Sequence, residues 1–146
     1  MKNIEPIIIE KTFNAPADKV WKAITGKEEM KKWYFDIADF KPIVGFEFQF
    51  LAGDDQKKYL HLCKIIEVTD QKKLTYSWRY DGYEGNSFVT FELFEENDKT
   101  RLKLTHLGLE TFPEIPAFSK ENFRQGWTQI IGTSLKDYLE NNQSGT

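Results

Sequence analysis

The stretch "SKENFRQGWTQIIGTSLKDYLENN", residues 119–142, decides the fold, because its spacing predicts one long amphipathic helix. Ser119 is a suitable N-cap, and two glycines lie inside the predicted helix. Gly126, at the margin of the apolar stripe, predicts a local gap facing the sheet, whereas Gly132 lies on the opposite side and has no evident steric purpose. At about 100° per residue, the apolar stripe contains Phe123, Trp127, Ile130, Ile131, Leu135 and Tyr138.

The apolar stripe needs a surface to cover, and the preceding chain supplies strands. "IIIEKTF", residues 7–13, is rich in β-branched residues and predicts a first strand. Two short helices follow, in "NAPADKVWKAITG" and "KEEMKKW", with Gly26 as a stop signal between them. After these helices, apolar and polar residues alternate over 45–50, 73–80, 86–93 and 101–108. The pattern predicts an antiparallel meander with one wet face and one dry face paved with aromatic rings.

The strand "YLHLCKIIEV", residues 59–68, does not fit strict alternation, because alternation would bury Lys64 without a partner. A β-bulge near Ile66 and Glu67 removes this conflict. The bulge places His61, Cys63 and Ile65 on the dry face. We therefore predict that the strand is bulged.

The composition of the chain limits the classes of protein and the kinds of partner to be considered. The 146 residues are 40% hydrophobic, 29% charged and 15% aromatic, with a net charge of −3 and one cysteine. This predicts a single domain over residues 1–141 and a disordered tail over 142–146. No basic run points to nucleic acid, and no segment is apolar enough to anchor in a membrane. With no cysteine pair and no signal peptide, we expect a cytoplasmic protein.

The motifs of several chemistries are missing from the sequence. One Cys and two His do not make a closed metal site, and no glycine-rich phosphate loop is present, so we predict neither a metal nor a cofactor. We assign no catalytic residue. The acidic residues in predicted loops are best explained by solvation: Asp36, Asp39, Asp54, Asp55 and Glu84.

Four segments resemble a known superfamily. "FNAPADKVWKAITGKEEMKKWY" (13–34) is similar to the N-terminal signature of the SRPBCC or START-like proteins, which include the birch-pollen-allergen fold. "KLTYSWRY", "SFVTFELFEENDKTRLKLTHLGL" and "GWTQIIGTSLKDYLE" resemble the group named after the C-terminal domain of activators of the heat-shock protein 90 ATPase. The similarity runs from about Ile7 to Glu140.

The resemblance implies an α+β helix-grip fold, in which a curved seven-stranded antiparallel sheet wraps the C-terminal helix. Two short helices follow the first strand, and a hydrophobic cavity usually lies between helix and sheet. The chain's own pattern agrees, since one slender helix covers only part of a curved sheet. The resemblance also implies a possible heat-shock protein 90 partner, although those activators carry a separate N-terminal domain that this sequence lacks.

We expect the protein to bind a small hydrophobic or amphipathic molecule in that cavity, as a container rather than a catalyst. Two alternatives stay open: a chaperone-interaction module, and a cyclase- or hydrolase-like enzyme using His61 or His106 near neutral pH. His106 itself is either satisfied at the sheet rim by a backbone group, or a polar group at the cavity mouth paired with Trp127 or the Tyr76 hydroxyl. The expected ligand-binding residues are Phe48, Phe50, His61, Cys63, Tyr76, Trp78, Val89, Phe91, Leu104, His106, Phe123, Trp127 and Ile131.

Overall fold

The structure is a computed structural model that describes residues 5–34, 37, 40–53, 57–115 and 118–141. The predicted tail 142–146 and Asp36, Asp39, Asp54 and Asp55 lie outside these ranges. The elements are β1 (Ile7–Phe13), α1 (Ala17–Thr25), α2 (Lys27–Trp33), β2 (Glu47–Gly53), β3 (Lys58–Thr69), β4 (Lys73–Tyr80), β5 (Ser87–Glu96), β6 (Lys99–Leu107) and a C-terminal helix. This helix consists of α3 (Lys120–Gln129), a π-helical segment (Ile130–Leu135) and α4 (Lys136–Asn141).

The strands form one antiparallel sheet in the order β1-β6-β5-β4-β3-β2. Strands β2 to β6 follow one another as a meander, while α1 and α2 carry the chain from β1 to the opposite edge. The curved sheet and the C-terminal helix confirm the α+β helix-grip architecture. The described residues form six strands rather than seven, because those between β1 and β2 make two helices and irregular chain.

The predicted bulge in β3 is confirmed by a shift of register between Ile65 and Glu67, opposite β4. Before the shift, His61, Cys63 and Ile65 are buried on the inner face of the sheet, while Lys64 is exposed. The bulge thus removes the lysine from the core without interrupting the strand.

The C-terminal helix departs from α geometry in its middle. Its buried side chains recur at intervals of four residues, whereas an α-helix overshoots a full turn by about 40° over four residues. Without compensation this row would wind off the sheet. The π-helical segment, with i→i+5 hydrogen bonds, widens the turn and rotates the row back. The row consists of Phe123, Trp127, Ile131, Leu135 and Leu139.

This rotation corrects two expectations about the apolar stripe. Leu139, which an ideal period leaves out, is completely buried, and Tyr138 and Ile130 are only half-buried. The predicted gap at Gly126 is also wrong, because Gly126 is exposed and does not face the sheet. Gly132 lies within the π-helical segment, where an added Cβ would meet nothing within 4 Å, so the structure shows no steric need for this glycine.

We predict that Leu139→Ala lowers the free energy of unfolding by about 2–5 kcal/mol, as expected for a leucine removed from a packed core. Tyr138→Ala, one position away, is expected to cost clearly less because Tyr138 is half-buried. Urea unfolding of both variants measures the difference. A larger cost for Tyr138→Ala would mean that the helix follows the ideal α period.

We predict that Gly126→Ala raises the free energy of unfolding by about 0.4–1 kcal/mol, because alanine restricts the unfolded chain. An added Cβ meets nothing within 4 Å at this exposed helical position. Gly108→Ala is the matched control: its φ is +90° and the new Cβ would lie 2.9 Å from the Asn86 carbonyl oxygen, so we expect destabilisation. Thermal unfolding of both variants should give shifts of opposite sign.

Candidate functional site

The expected ligand-binding residues converge on the interface between the inner face of the sheet and the C-terminal helix. All thirteen have side chains that are at most 7% exposed. The strands contribute ten of them through alternation, and the helix contributes Phe123, Trp127 and Ile131 from its buried row. Their shared location is established, while their contact with a ligand stays a prediction.

His106 is the centre of a buried hydrogen-bond chain. The Trp127 Nε1–H donates to His106 Nδ1 over 2.9 Å, and His106 Nε2 lies 2.8 Å from Ser87 Oγ. An indole nitrogen only donates, so Nδ1 is the acceptor and the imidazole proton is on Nε2. The Ser87 hydroxyl then donates to the Trp78 carbonyl oxygen over 2.8 Å. One histidine thus connects the helix to three neighbouring strands.

The surroundings of His106 keep it neutral. Burial lowers the pKa of His106 to about 3. Its side chain is 0% exposed, so the expected place at a cavity mouth is wrong. His106 lies one residue from the end of β6, but its partners are the side chains of Ser87 and Trp127 and not the expected backbone group. Its pairing with Trp127 is confirmed. Protonation would also put a proton on Nδ1, facing the Trp127 donor. His106 is therefore not poised for acid–base work near neutral pH.

His61 is also buried, with a backbone partner. Its Nδ1 lies 2.9 Å from the Tyr59 carbonyl oxygen, and its ring stacks on Phe50 at a centroid distance of 4.5 Å. Burial, partly offset by backbone hydrogen bonds, lowers the pKa of His61 to about 4. The expectation that either histidine titrates near neutral pH is wrong, because reference pKa values describe exposed side chains.

A pair of tyrosine hydroxyls forms a second polar contact in the interior. Tyr34 and Tyr76 have their hydroxyl oxygens 2.8 Å apart, and burial raises the pKa of both. The Tyr34 ring lies between Trp33 and Trp127, at centroid distances of 5.0 and 6.1 Å. Sequence reasoning missed Tyr34, because it closes a short helix and only the tertiary fold brings it to the sheet.

The polar tips of the aromatic residues find partners within the protein. The Trp78 Nε1–H donates to the Tyr80 hydroxyl over 2.9 Å. Within the described ranges, no buried side-chain nitrogen or oxygen lacks a hydrogen-bond partner. Trp78 also contacts Trp127 directly, at a centroid distance of 5.5 Å, so the space between these two rings is filled.

Cys63 lies on the inner face beside these rings. Burial raises the pKa of its thiol, which therefore stays protonated at neutral pH. It behaves as a small apolar side chain and lies on the dry face of the sheet, where the sequence analysis placed it. Among the described residues, no group of three His, Cys, Asp or Glu side chains converges to hold a metal ion.

Two grooves lie outside the helix–sheet interface. One, of about 570 Å³, runs over the outer face of β2, β3 and β4 and is lined by outward side chains such as Gln49, Lys64 and Arg79. The other, of about 680 Å³, lies beside the turn between β3 and β4. Both mix polar and apolar walls.

Within the part of the chain that the structure describes, no helix is both long and apolar enough to cross a membrane.

The low pKa values make acid sensitivity a test of the site. Unfolded histidine binds a proton below about pH 6.5, whereas buried neutral histidine does not, so stability is complete above that pH and falls below it. Between about pH 6.5 and the pKa of the histidine in the folded state, each histidine lowers the free energy of unfolding by about 1.4 kcal/mol for every pH unit of acidification. The free energy of unfolding falls between pH 7.5 and pH 5. We predict that this fall is about 2 kcal/mol smaller in His106→Gln than in the parent protein, because glutamine does not titrate.

Urea unfolding at these two pH values measures this effect, and His61→Gln should give a similar reduction. The neutral-pH stability of each variant is its own baseline, so a general loss of packing does not imitate the result. An unchanged difference between the two pH values would contradict a buried neutral His106.

The arrangement matches known proteins over nearly its whole length. Residues 14–140 match the family described as "Activator of Hsp90 ATPase homolog 1-like protein".

Protein BH1534 of Bacillus halodurans is similar, with 27% identity, a TM-score of 0.74 and coverage of 96% of this chain and 100% of that one. CalU16 of Micromonospora echinospora has 25% identity and a TM-score of 0.71, covering 96% and 79%. MLL2253 of Mesorhizobium loti has 24% identity and a TM-score of 0.76, covering 94% and 98%. A comparison with curated proteins finds no significant match. The chain belongs to the Activator of Hsp90 ATPase homolog 1-like family, a helix-grip group of the SRPBCC superfamily.

Proposed function

We propose that the protein binds a small hydrophobic or amphipathic molecule between the C-terminal helix and the concave face of the sheet. The supporting observation is the layer of polar-tipped rings at this interface, formed by Tyr34, Tyr76, Trp78 and Trp127. A plain core needs apolar volume only. Rings with hydrogen-bonding tips offer both an apolar wall and groups that orient a guest.

The guest makes room for itself at Tyr34. Trp78 and Trp127 contact each other and are almost fully buried, so they leave no slot between them. Tyr34 directly follows the seven-residue helix α2 and is half-buried, whereas Tyr76, Trp78 and Trp127 are at most 4% exposed, so Tyr34 is the most solvent-accessible ring of the layer. Displacing it exposes the faces of Trp127 and Phe50 to the guest.

A binding role fits this interior better than a catalytic one. His61 and His106 are neutral, hydrogen-bonded and enclosed, and the thiol of Cys63 is protonated. General acid–base catalysis works best with a pKa near the working pH. Affinity would come mainly from burial of apolar area, at about 25 cal/mol per Å², less the cost of displacing Tyr34.

The test combines thermal unfolding with NMR of the indole N–H groups. We expect at least one of decanol, decanoate and 2-acetonaphthone to raise the melting temperature, since a ligand at 100 times its Kd stabilises the folded state by about 2.7 kcal/mol. The indole signals of Trp78 and Trp127 should shift, while that of Trp21 on α1 should not. No thermal shift with any of the three compounds would contradict the proposal.

A second candidate is interaction with a heat-shock protein 90 chaperone, as the family description suggests. A surface observation favours it: four large apolar side chains on or near the edge strand β2 are exposed by 46–66%. They are Ile43, Val44, Leu51 and Ile66. Pull-down of the chaperone and a change in its ATPase rate, both weakened by Leu51→Asp, would support this role. An unchanged ATPase rate would exclude activation.

A further inference from the structure

Strand β1 is the last strand at one end of the sheet order, and its free edge has no partner strand among the described residues. It reads "IIIEKTF" from Ile7 to Phe13, so three consecutive isoleucines lie along this edge. An unpaired strand edge is a template on which another strand adds. Going beyond the proposed binding function, we infer that β1 pairs antiparallel with β1 of a second copy of the chain, about a two-fold axis between the two Ile8 residues.

The direction of the hydrogen bonds in the sheet shows which backbone groups of β1 face the free edge. The Leu93 N–H donates to the Lys72 carbonyl oxygen over 2.8 Å, so odd-numbered residues of β5 bond to β4 and even-numbered ones to β6. The registers of β5 with β6 and of β6 with β1 are continuous, and they carry this alternation to β1. The even-numbered residues of β1 therefore turn their N–H and C=O groups to the free edge. At the proposed axis, the two copies of Ile8 exchange two backbone hydrogen bonds.

The side chains select the axis at Ile8. With this axis, Ile7 of each copy lies opposite Ile9 of the other. Further along the strands, Glu5 of each copy lies opposite Lys11 of the other, so an opposite-charge contact closes the pairing at both ends. These are the closely spaced pairs of an antiparallel ladder, with Cα atoms about 4.5 Å apart. The sequence over residues 5–11 is therefore complementary to itself.

Neighbouring registers lose this complementarity. An axis one residue later places Ile7 opposite Lys11, and an axis one residue earlier places Ile9 opposite Glu5. An axis at Glu10 places two carboxylates directly opposite each other, which is destabilising. Only the register centred on Ile8 combines apolar pairs in the middle with opposite charges at the ends.

Apolar side chains of this edge are covered by the pairing. Ile8 is 46% exposed on the outer face, and Leu107, diagonal to it on β6, is 44% exposed. On the inner face, Ile9 is half-buried against the core. A second copy covers Ile8 and Ile9 with their own counterparts. Two paired seven-residue strands are small beside a standard interface of about 1,200–2,000 Å², so we expect a weak dimer that forms as the concentration rises.

Lys11 makes the pairing selective. It is an inward-pointing charge on an edge strand, and such a charge discourages pairing with unrelated strands. Within the chain, Glu140 on α4 is close enough to interact with this charge. That carboxylate already accepts hydrogen bonds from the Asn14 N–H and the Lys136 ammonium, each over 3.2 Å. Glu5 of a second copy offers Lys11 a carboxylate directly opposite, which an unrelated strand does not.

Charge exchange tests both the interface and its register. Glu5→Lys and Lys11→Glu each place like charges opposite each other at both ends of the pairing. Each variant alone should therefore dimerise about tenfold or more weakly than the parent protein at low salt. In an equimolar mixture of the two variants, every end again has opposite charges, so the mixture should regain the dimer affinity of the parent protein. Sedimentation equilibrium over a range of protein concentrations measures these affinities.

Two further variants separate the interface from general effects of charge. Glu95→Lys makes the same charge change as Glu5→Lys, but at an exposed position on β5, and should dimerise like the parent protein. Ile8→Lys places two ammonium groups at the axis and should abolish the dimer. Since Ile8 is on the outer face and 46% exposed, this variant should fold, which its melting temperature checks.

Each other outcome overturns a stated part of the inference. A parent protein that stays monomeric at the concentrations used for NMR overturns the dimer. A dimer that neither Ile8→Lys nor the two charge variants weaken overturns β1 as its interface. Charge variants that dissociate alone and do not associate when mixed overturn the register centred on Ile8. Assemblies larger than a dimer overturn the two-fold axis, because a closed β1 pair leaves no second β1 edge for a further copy.

Discussion

The contact on which the structure depends is the hydrogen bond from the Trp127 indole to His106, continued through Ser87 to the Trp78 carbonyl. It joins the C-terminal helix to β6, β5 and β4 where water has no access. A donor left unpaired there would cost about 1–3 kcal/mol, so the helix has one favoured setting over the sheet. This series of hydrogen bonds requires a neutral imidazole at His106, because Nδ1 accepts from the Trp127 indole.

The position of the C-terminal helix over the sheet also explains the π-helical segment. Trp127 must meet His106, while Leu139 must enter the core three turns further along the helix. A regular α-helix would turn these two side chains about 120° apart, since their separation is twelve residues. The wider turn between Ile130 and Leu135 corrects much of that rotation. Local helical regularity is given up so that one row of side chains follows the sheet.

The unusual aromatic content, 15% of the chain, now has a physical account. The rings fill the concave side of the sheet, and their polar tips hydrogen-bond to one another rather than to water. Tyr34 is the most solvent-accessible of the polar-tipped rings, since it is half-buried whereas Tyr76, Trp78 and Trp127 are at most 4% exposed.

Periodicity and spacing were enough to determine the strands, the short helices, the β3 bulge and the inward positions of β2 to β6. Each of these depends on which face of one element is apolar, and that is a local property. The π-helical segment and the burial of Leu139 were decided only by tertiary structure, because they depend on how one element is set against another. The seventh strand was implied by the family resemblance and not by the periodicity, which indicated six. The contact of Tyr34 with the sheet and the burial of the two histidines also depend on how the elements pack together. Sequence alone identified His61 and His106 as the groups with reference pKa values near neutrality, but burial beneath distant parts of the chain lowers the pKa of both.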